Sequence, residues 1–280
     1  MKVLVIQENG RHDENRNFRE CFSIQRSFSS LGHECDVWGL GHENYEEPPD
    51  FNSYDLIFNL ENYTDEWLPD LSKTTNPTKV MWSIDAHVRG EEVFEDLFKK
   101  SNYDHLLHST FHFVKDKHHI WFPNAYDETL IKPLNIEKTI DFGFCGNYVN
   151  RKQLLSWLKE DYGLHLDIFV IGDAMVKAIN GYKCHFNLNI GNDINYRSFE
   201  TMGCKTLLLT NADEQYDKLG FVDGKNCLIY NNSISAVAKK IKQMKEMSDS
   251  EIEEIASEGY EFVKDHTYTK RIEKLLDDLK

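Results

Sequence analysis

The 280-residue sequence lacks most of the features that mark exported proteins, membrane-spanning proteins or proteins stabilised by a structural metal ion. Its six cysteines are scattered and form no C-x-x-C pair, so nothing indicates a structural zinc site. No apolar run approaches the roughly 20 residues that span a bilayer. The opening MKVLVIQENG has the pattern of a first strand and not of a signal peptide. We therefore expect a cytoplasmic protein with reduced thiols and no membrane span.

Positive charge is also scarce. Lys and Arg number 32 against 47 Asp and Glu, which gives a formal net charge of −15. Because phosphate contacts need a basic surface, this balance argues against nonspecific binding to nucleic acid or to an anionic membrane. A local basic pocket remains compatible with it. The 40% of hydrophobic residues suffice for one large or two medium domains.

Several common nucleotide and hydrolase motifs are missing. No G-x-G-x-x-G follows the first strand, and neither a P-loop nor a G-x-S-x-G is present. Dehydrogenase, NTPase and α/β-hydrolase functions are therefore disfavoured. The histidines clustered between residues 105 and 119 fit no standard zinc spacing, and we expect structural roles for them.

Apolar strand patterns alternate with amphipathic helix patterns along the whole chain, which predicts an α/β fold with parallel sheets. A helix is predicted over residues 15–31. Strands are predicted over residues 2–7, 34–38, 55–60, 79–84, 104–109 and 118–122, and again over 140–145, 166–171, 184–189, 205–209 and 227–230. The restart near residue 140 predicts two α/β domains of similar size with a cleft between them.

In the first half, the sharpest candidates follow the strand 79–84. Asp85 and His87 would lie at its carboxyl end, the edge at which open α/β sheets bind ligands. A carboxylate there can act as general base toward an acceptor hydroxyl, and His87 could share that task or bind a phosphate. The alternative is that Asp85 only caps the following turn.

In the second half, two strand ends carry candidate ligand residues. Gly146, Asn147 and Arg151 lie where a strand gives way to a helix, an arrangement that suits an anion. Ile171 and Gly172 end the next strand, where a glycine lets a flat ring approach the backbone. Ordinary turns would explain both sites equally well.

The third candidate is the stretch NDINYRSFETMGCKTLLLT, residues 192–210. Arg197 and Glu200 would project from one face of a short helix. A guanidinium suits a phosphate and a carboxylate suits ribose hydroxyls, so a nucleoside diphosphate fits the pair. Asn195 and Ser198 flank it and belong to the candidate site. The alternative is a surface salt bridge that contributes little to stability.

Longer segments resemble a known family. DFGFCGNYVNRKQLL, FVIGD, the Arg-x-x-Glu stretch and the terminal HTYTKRIEKLL look like the C-terminal half of GT-B glycosyltransferases of the CgeB-like spore-maturation group, and WSIDAHVRG looks like the preceding half. The resemblance implies two Rossmann-like domains with parallel sheets facing a central cleft. It places an acceptor-side domain over residues 1–130, a nucleotide-sugar domain over 131–264, and a helix over 265–280 that crosses back to the first domain.

This resemblance implies transfer of a sugar from a nucleotide-sugar donor, with no metal ion and no other cofactor. Glu200 would hold the ribose, Arg197 and Arg151 would neutralise the diphosphate, and the backbone of Ile171 and Gly172 would meet the base. The sequence is also similar to the phage DNA β-glucosyltransferases, which implies a UDP-sugar and makes Asp85 the base of an inverting reaction.

The identity of the acceptor stays open at this stage. A glycan, a small molecule or a protein fits the acidic chain better than modified DNA. Two other functions also stay open: a sugar-nucleotide epimerase on the same fold, and a binding protein without turnover. The identity of the sugar and of the nucleotide, and the stereochemistry, are likewise not determined by the sequence.

Overall fold

The computed structural model describes residues 1–62 and 64–280, and the chain forms two compact units. The first unit comprises Met1–Asn124 together with Tyr268–Lys280, and the second comprises Ala125–Thr267. Tyr63, in the loop predicted after the strand 55–60, lies outside the described residues. No helix in the described ranges is long and apolar enough to cross a membrane.

The first unit is built on a parallel six-stranded sheet with the order β2-β1-β3-β4-β5-β6. Its elements up to Asn124 are β1 (Lys2–Ile6), α1 (Glu20–Ser30), β2 (Glu34–Trp38), β3 (Leu56–Leu60), β4 (Thr78–Ser83), α2 (Ala86–Arg89), α3 (Glu91–Lys100), β5 (His105–His108) and β6 (His119–Trp121). Consecutive residues of β1 and β3 are buried, because both faces of such a sheet are covered. The connection after β1 leads to β2 on one side of it, and the connection after β2 leads to β3 on the other side. A topological switch point therefore lies between β1 and β3.

The second unit contains a parallel five-stranded sheet with the order β8-β7-β9-β10-β11. Its elements are β7 (Ile140–Gly146), α4 (Lys152–Tyr162), β8 (His165–Ile168), α5 (Gly172–Asn180), β9 (Tyr182–Phe186), α6 (Tyr196–Gly203), β10 (Leu207–Asn211), α7 (Glu214–Leu219), β11 (Leu228–Tyr230), α8 (Ile234–Glu246) and α9 (Asp249–Val263). The switch point here lies between β7 and β9, where ligands bind in sheets of this topology.

The last helix, α10 (Tyr268–Asp278), belongs to the first unit and packs against α1. Thr269 lies 3.4 Å from Ser27 between their hydroxyl oxygens. Arg271 Nε donates to the carbonyl oxygen of Pro123 over 3.2 Å, and the ring of Tyr268 meets that of Trp82 edge-on. These contacts hold α10 against α1 and against Trp82 of β4, within the first unit.

The predicted α/β class and parallel sheets are confirmed, and the differences are local. The helix predicted from residue 15 begins at Glu20, because Asp13–Phe18 forms a separate 3-10 turn. The strand predicted over 166–171 ends at Ile168, because Phe169 adopts a left-handed backbone with φ +58°. Helix α5 follows and was not predicted.

Candidate active site

Helix α6 carries the Arg197–Glu200 pair and directs it toward the end of β7. Asn195 caps the helix, since its Oδ1 accepts the amide proton of Arg197 over 3.1 Å. Arg197 Nη1 pairs with Glu200 Oε2, and the two side chains are only 24% and 14% exposed. Arg197 Nε donates to the carbonyl oxygen of Cys145 over 3.1 Å. The pair is therefore partly buried at the sheet edge and is not a bridge on a solvated helix face.

Arg151 reaches the same strand end from the start of α4. Its Nη1 donates to the carbonyl oxygen of Asn147 over 3.0 Å, and its Nη2 donates to that of Leu188 over 3.1 Å. Leu188 follows β9, so the guanidinium joins the loops on both sides of the switch point. Among the described residues Arg151 pairs with no carboxylate, and its buried Nε has no hydrogen-bond partner there.

Two positively charged side chains lie close together in this corner of the second unit. Burial lowers the pKa of Arg151, and the nearby charge of Arg197 lowers it further. Burial alone would also lower the pKa of Arg197, but the carboxylate of Glu200 reverses the direction and raises it. Arg197 is thus paired with Glu200, whereas Arg151 has no carboxylate partner among the described residues, in a chain whose net charge is −15. Such a site attracts an anion.

The other predicted residues of the second unit line the same carboxyl edge. Gly146 ends β7, and Asn147 Oδ1 accepts the amide proton of Val149 over 2.9 Å, which shapes the turn before Arg151. Gly172 begins α5 with φ +60°, a left-handed conformation that favours glycine, and Ile171 is the residue before it.

Phe169 is a residue that the sequence did not single out. Its side chain is 60% exposed although the backbone is left-handed, which is uncommon for a bulky residue. The ring packs edge-on against Tyr148, with 6.0 Å between centroids. An exposed aromatic ring three residues before Gly172 offers a surface for a flat ligand ring. A lone Phe in an apolar strand pattern gave no signal of this.

Ser198 is placed differently from Arg197 and Glu200. The residue is fully buried, and its hydroxyl lies 2.8 Å from the hydroxyl of Tyr216 and accepts from Asn187 Nδ2 over 3.0 Å. Asn195, besides capping α6, donates from Nδ2 to the carbonyl oxygen of Leu188 over 3.2 Å. Both side chains are thus engaged in holding α6 and its preceding loop.

In the first unit, Asp85 lies just before α2 and is exposed. Its side chain makes no capping hydrogen bond, so the capping alternative is not what the structure contains. Although the residue is exposed as a whole, partial desolvation of its carboxyl group raises its pKa, as does the charge of Glu20, while His87 and Arg89 oppose the shift. His87 is half-buried, its pKa is lowered chiefly by desolvation, and its Nδ1 has no partner among the described residues.

Glu61, which no sequence pattern singles out, organises the turn that carries Asp85. Its Oε2 accepts the amide protons of Ile84 and Asp85, over 2.7 and 2.6 Å. Its Oε1 pairs with Arg89 Nη1 at 3.1 Å, and the Glu61 side chain is only 8% exposed. The signal available was an acidic residue directly after a strand that is buried at every position.

The clustered histidines include one direct pair. His108 Nε2 lies 3.1 Å from His119 Nδ1, and both residues are buried. Within residues 1–62 and 64–280, no group of three or more His, Cys, Asp or Glu side chains is arranged to hold a metal ion.

Comparison with known proteins identifies a family whose sequences match this chain. Residues 125–277, more than half of the chain, match the family described as "Glycosyl transferase-like". No curated protein matches the sequence.

Solved structures resemble the whole chain at low identity. HepE from Anabaena in complex with UDP-glucose has a TM-score of 0.66 and 11% identity over 100% of this chain and 99% of that one. An alpha-glucosyltransferase in complex with UDP gives 0.69 and 9%, covering 100% of both chains. The DNA-modifying enzyme beta-glucosyltransferase gives 0.65 and 13%, covering 100% of this chain and 99% of that one.

These likenesses confirm the predicted GT-B fold with two Rossmann-like domains. The narrower CgeB-like assignment stays a prediction. By its family match and its fold together, the chain belongs to the Glycosyl transferase-like family and is a GT-B glycosyltransferase.

Proposed function

We propose that the chain transfers a sugar from a UDP-sugar to an acceptor hydroxyl, with the donor bound at the carboxyl edge of the second sheet. One observation carries this proposal: Arg151 and Arg197 lie together at the β7–β9 switch point, and among the described residues Arg151 pairs with no carboxylate. Two adjacent guanidinium groups suit the two phosphates of a nucleoside diphosphate. The choice of uridine is supported by the UDP and UDP-glucose complexes of the structurally similar enzymes.

Each residue of this edge has a distinct task in the proposed complex. Arg151 and Arg197 neutralise the diphosphate in the ground state and stabilise the charge that grows on it as it leaves. Glu200 uses Oε2 for Arg197, and its Oε1, which makes no hydrogen bond among the described residues, accepts from the ribose hydroxyls. The backbone of Ile171 and Gly172, together with the ring of Phe169, faces the base.

The first unit supplies the base in this proposal. The acceptor oxygen attacks the anomeric carbon while its proton passes to the carboxylate of Asp85. The bond between the anomeric carbon and the phosphate oxygen breaks, and UDP leaves with the bonding electrons. A single displacement inverts the anomeric centre. His87, two residues from Asp85, helps to orient the acceptor. Because the guanidinium groups carry the leaving-group charge, the reaction needs no bound metal ion.

The acceptor is constrained by charge. An acidic chain repels polyanions, so a glycan, a small molecule or a protein hydroxyl suits it better than DNA. The DNA in a complex of the structurally similar alpha-glucosyltransferase is a property of that enzyme.

A nucleotide panel tests the donor site first. UDP at about 100 times its dissociation constant should add about 2.7 kcal/mol to the unfolding free energy, which a thermal-shift assay reads easily. GDP, ADP, TDP and CMP serve as comparisons. If no nucleotide raises the melting temperature, the donor site is wrong.

Product analysis then tests the reaction. UDP released only when an acceptor is added supports transfer. An isomerised sugar nucleotide would indicate an epimerase, and binding without either product would indicate a protein that has lost turnover.

The Glu200→Gln variant tests the ribose contact. It should weaken the binding of UDP and of uridine alike, because the ribose is common to both; unchanged affinity for both would remove Glu200 from the site.

A further inference from the structure

A closed ring of hydrogen bonds lies directly behind the proposed donor site. The amide of Cys145 donates to His185 Nε2 over 3.0 Å, and His185 Nδ1 lies 2.6 Å from Thr201 Oγ1. Thr201 Oγ1 donates to the carbonyl oxygen of Arg197 over 2.5 Å. Arg197 Nε donates to the carbonyl oxygen of Cys145 over 3.1 Å and closes the ring.

The chemistry of the groups determines the direction of every bond. A backbone amide can only donate, so His185 Nε2 must be the unprotonated acceptor. The proton of the neutral imidazole then sits on Nδ1 and is donated to Thr201. The threonine proton goes to the carbonyl of Arg197, which can only accept. His185 is thus confined to one charge state and one tautomer.

The imidazole has no freedom to leave this ring. His185 and Thr201 are both completely buried. The imidazole stacks on Tyr182 at an interplanar angle of 15° and on Phe144 at 25°. Burial and the charge of Arg197 lower the pKa of His185 to about 3, so it stays neutral at ordinary pH.

A buried histidine with satisfied nitrogens is commonly only a core residue. The ring differs from that case because both of its ends are parts of the donor site. Cys145 directly precedes Gly146, and its carbonyl is the acceptor that holds the guanidinium of Arg197. Without the imidazole, the buried amide of Cys145 loses its hydrogen-bond partner, which is unfavourable unless the peptide turns. A turned peptide would move the carbonyl away from Arg197.

We propose that His185 is a positioning residue for the nucleotide donor: through the Cys145 peptide and the Thr201 hydroxyl it holds the Arg197 guanidinium in the orientation that receives the diphosphate. This inference rests on the proposed donor site. It adds a residue that does not touch the ligand and that acts through Arg197.

The test compares UDP dissociation constants, by calorimetry, for His185→Phe and His108→Phe. His108 is the matched control, since it is also completely buried, has its pKa lowered to about 3, and lies in the first unit. We expect His185→Phe to weaken UDP about tenfold and His108→Phe to leave the affinity within twofold. His185→Gln, whose amide can both accept and donate, should restore most of the loss.

A double-mutant cycle with Arg197→Lys separates positioning from general damage. Lysine lacks the Nε–H that closes the ring, so His185→Phe should cause less than a twofold further change in that background. Independent, multiplying effects would overturn the inference, as would wild-type affinity in folded His185→Phe. If His185→Phe does not fold, Thr201→Val opens the same ring at another link and should weaken UDP similarly; unchanged affinity there is equally contradictory.

A readout without nucleotide keeps the inference distinct from the donor-site proposal. In the wild type, the Nε proton of Arg197 should exchange slowly in the NMR spectrum, and His185→Phe should accelerate its exchange at least tenfold. If the wild type binds no UDP, the proposed function fails, and the exchange rates still decide whether His185 holds Arg197. Equal rates in both proteins would refute the positioning role.

Discussion

The carboxylate of Glu61 accepts the backbone amide proton of Asp85, with 2.6 Å between Oε2 and N. The same oxygen accepts from Ile84, and Arg89 holds the other oxygen, so Glu61 is fixed at both ends. The turn after β4 is therefore held by the strand next to it in the sheet, and the Asp85 side chain is left free of capping contacts.

This relationship predicts the effect of Glu61→Gln. An amide in place of the carboxylate would put an N–H group against either Arg89 or the backbone amides, and the turn would shift. We expect kcat to fall about tenfold, with UDP affinity unchanged, because the proposed donor contacts all lie in the second unit. Steady-state kinetics with calorimetry on the same samples measure both. Glu92→Gln, an exposed change on α3, is the matched control. Wild-type kcat in Glu61→Gln would show that the turn needs no such support.

Replacing Asp85 by Asn should separate binding from chemistry. The amide is nearly the same size but cannot take the acceptor proton, so we expect UDP affinity to persist and transfer to drop by about 10²–10⁴-fold. The raised pKa of Asp85 gives a second readout. Wild-type kcat should fall as the pH drops through that pKa, and the residual activity of Asp85→Asn should lack this acidic limb. Turnover that survives the substitution would remove Asp85 from the mechanism.

Two buried histidines predict how stability depends on pH. Burial lowers the pKa of both His108 and His185 from 6.5 to about 3. Between pH 6.5 and 3 the unfolded chain binds protons that the folded chain does not. The stabilising contribution of each neutral histidine is therefore fully present above pH 6.5 and is lost as the pH falls toward 3. When the pH falls from 7 to 5, each histidine should lower the unfolding free energy by about 2 kcal/mol.

Urea denaturation of the wild type and of His108→Phe at the two pH values checks this. The variant lacks one of the two groups, so its unfolding free energy should fall by about 2 kcal/mol less than that of the wild type. Identical losses in the two proteins would mean that His108 is not buried in its neutral form.

The sequence predicted those parts of the candidate site that depend on residues close together along the chain. Strand ends are visible as apolar runs that stop, and the spacing of Arg197 and Glu200 already places them on one helix face. The approach of Arg151 to Arg197 was harder to predict from spacing, because it depends on β9 pairing with β7 on the side opposite to β8, and not pairing with β8 as chain order alone would suggest. The family resemblance implied only that both arginines bind the diphosphate.

Other features had no sequence signal. The left-handed turn at Phe169 goes against residue preference, so local propensity favoured a longer strand. His185 and Glu61 act through contacts with the backbone of residues far away in the chain, and neither residue type nor spacing indicates which amide a side chain will meet. Such contacts follow from packing, which a single sequence does not display.

The central claim is that the carboxyl edge of the second sheet binds the diphosphate of the donor. Calorimetric titration of UDP and of uridine into the wild type, Arg151→Gln and Lys152→Gln tests it most directly, since Lys152 is the exposed cationic neighbour of Arg151. We predict that Arg151→Gln weakens UDP at least tenfold and leaves uridine unchanged, while Lys152→Gln binds both as the wild type does. Equal affinity of the wild type and Arg151→Gln for UDP would contradict the account.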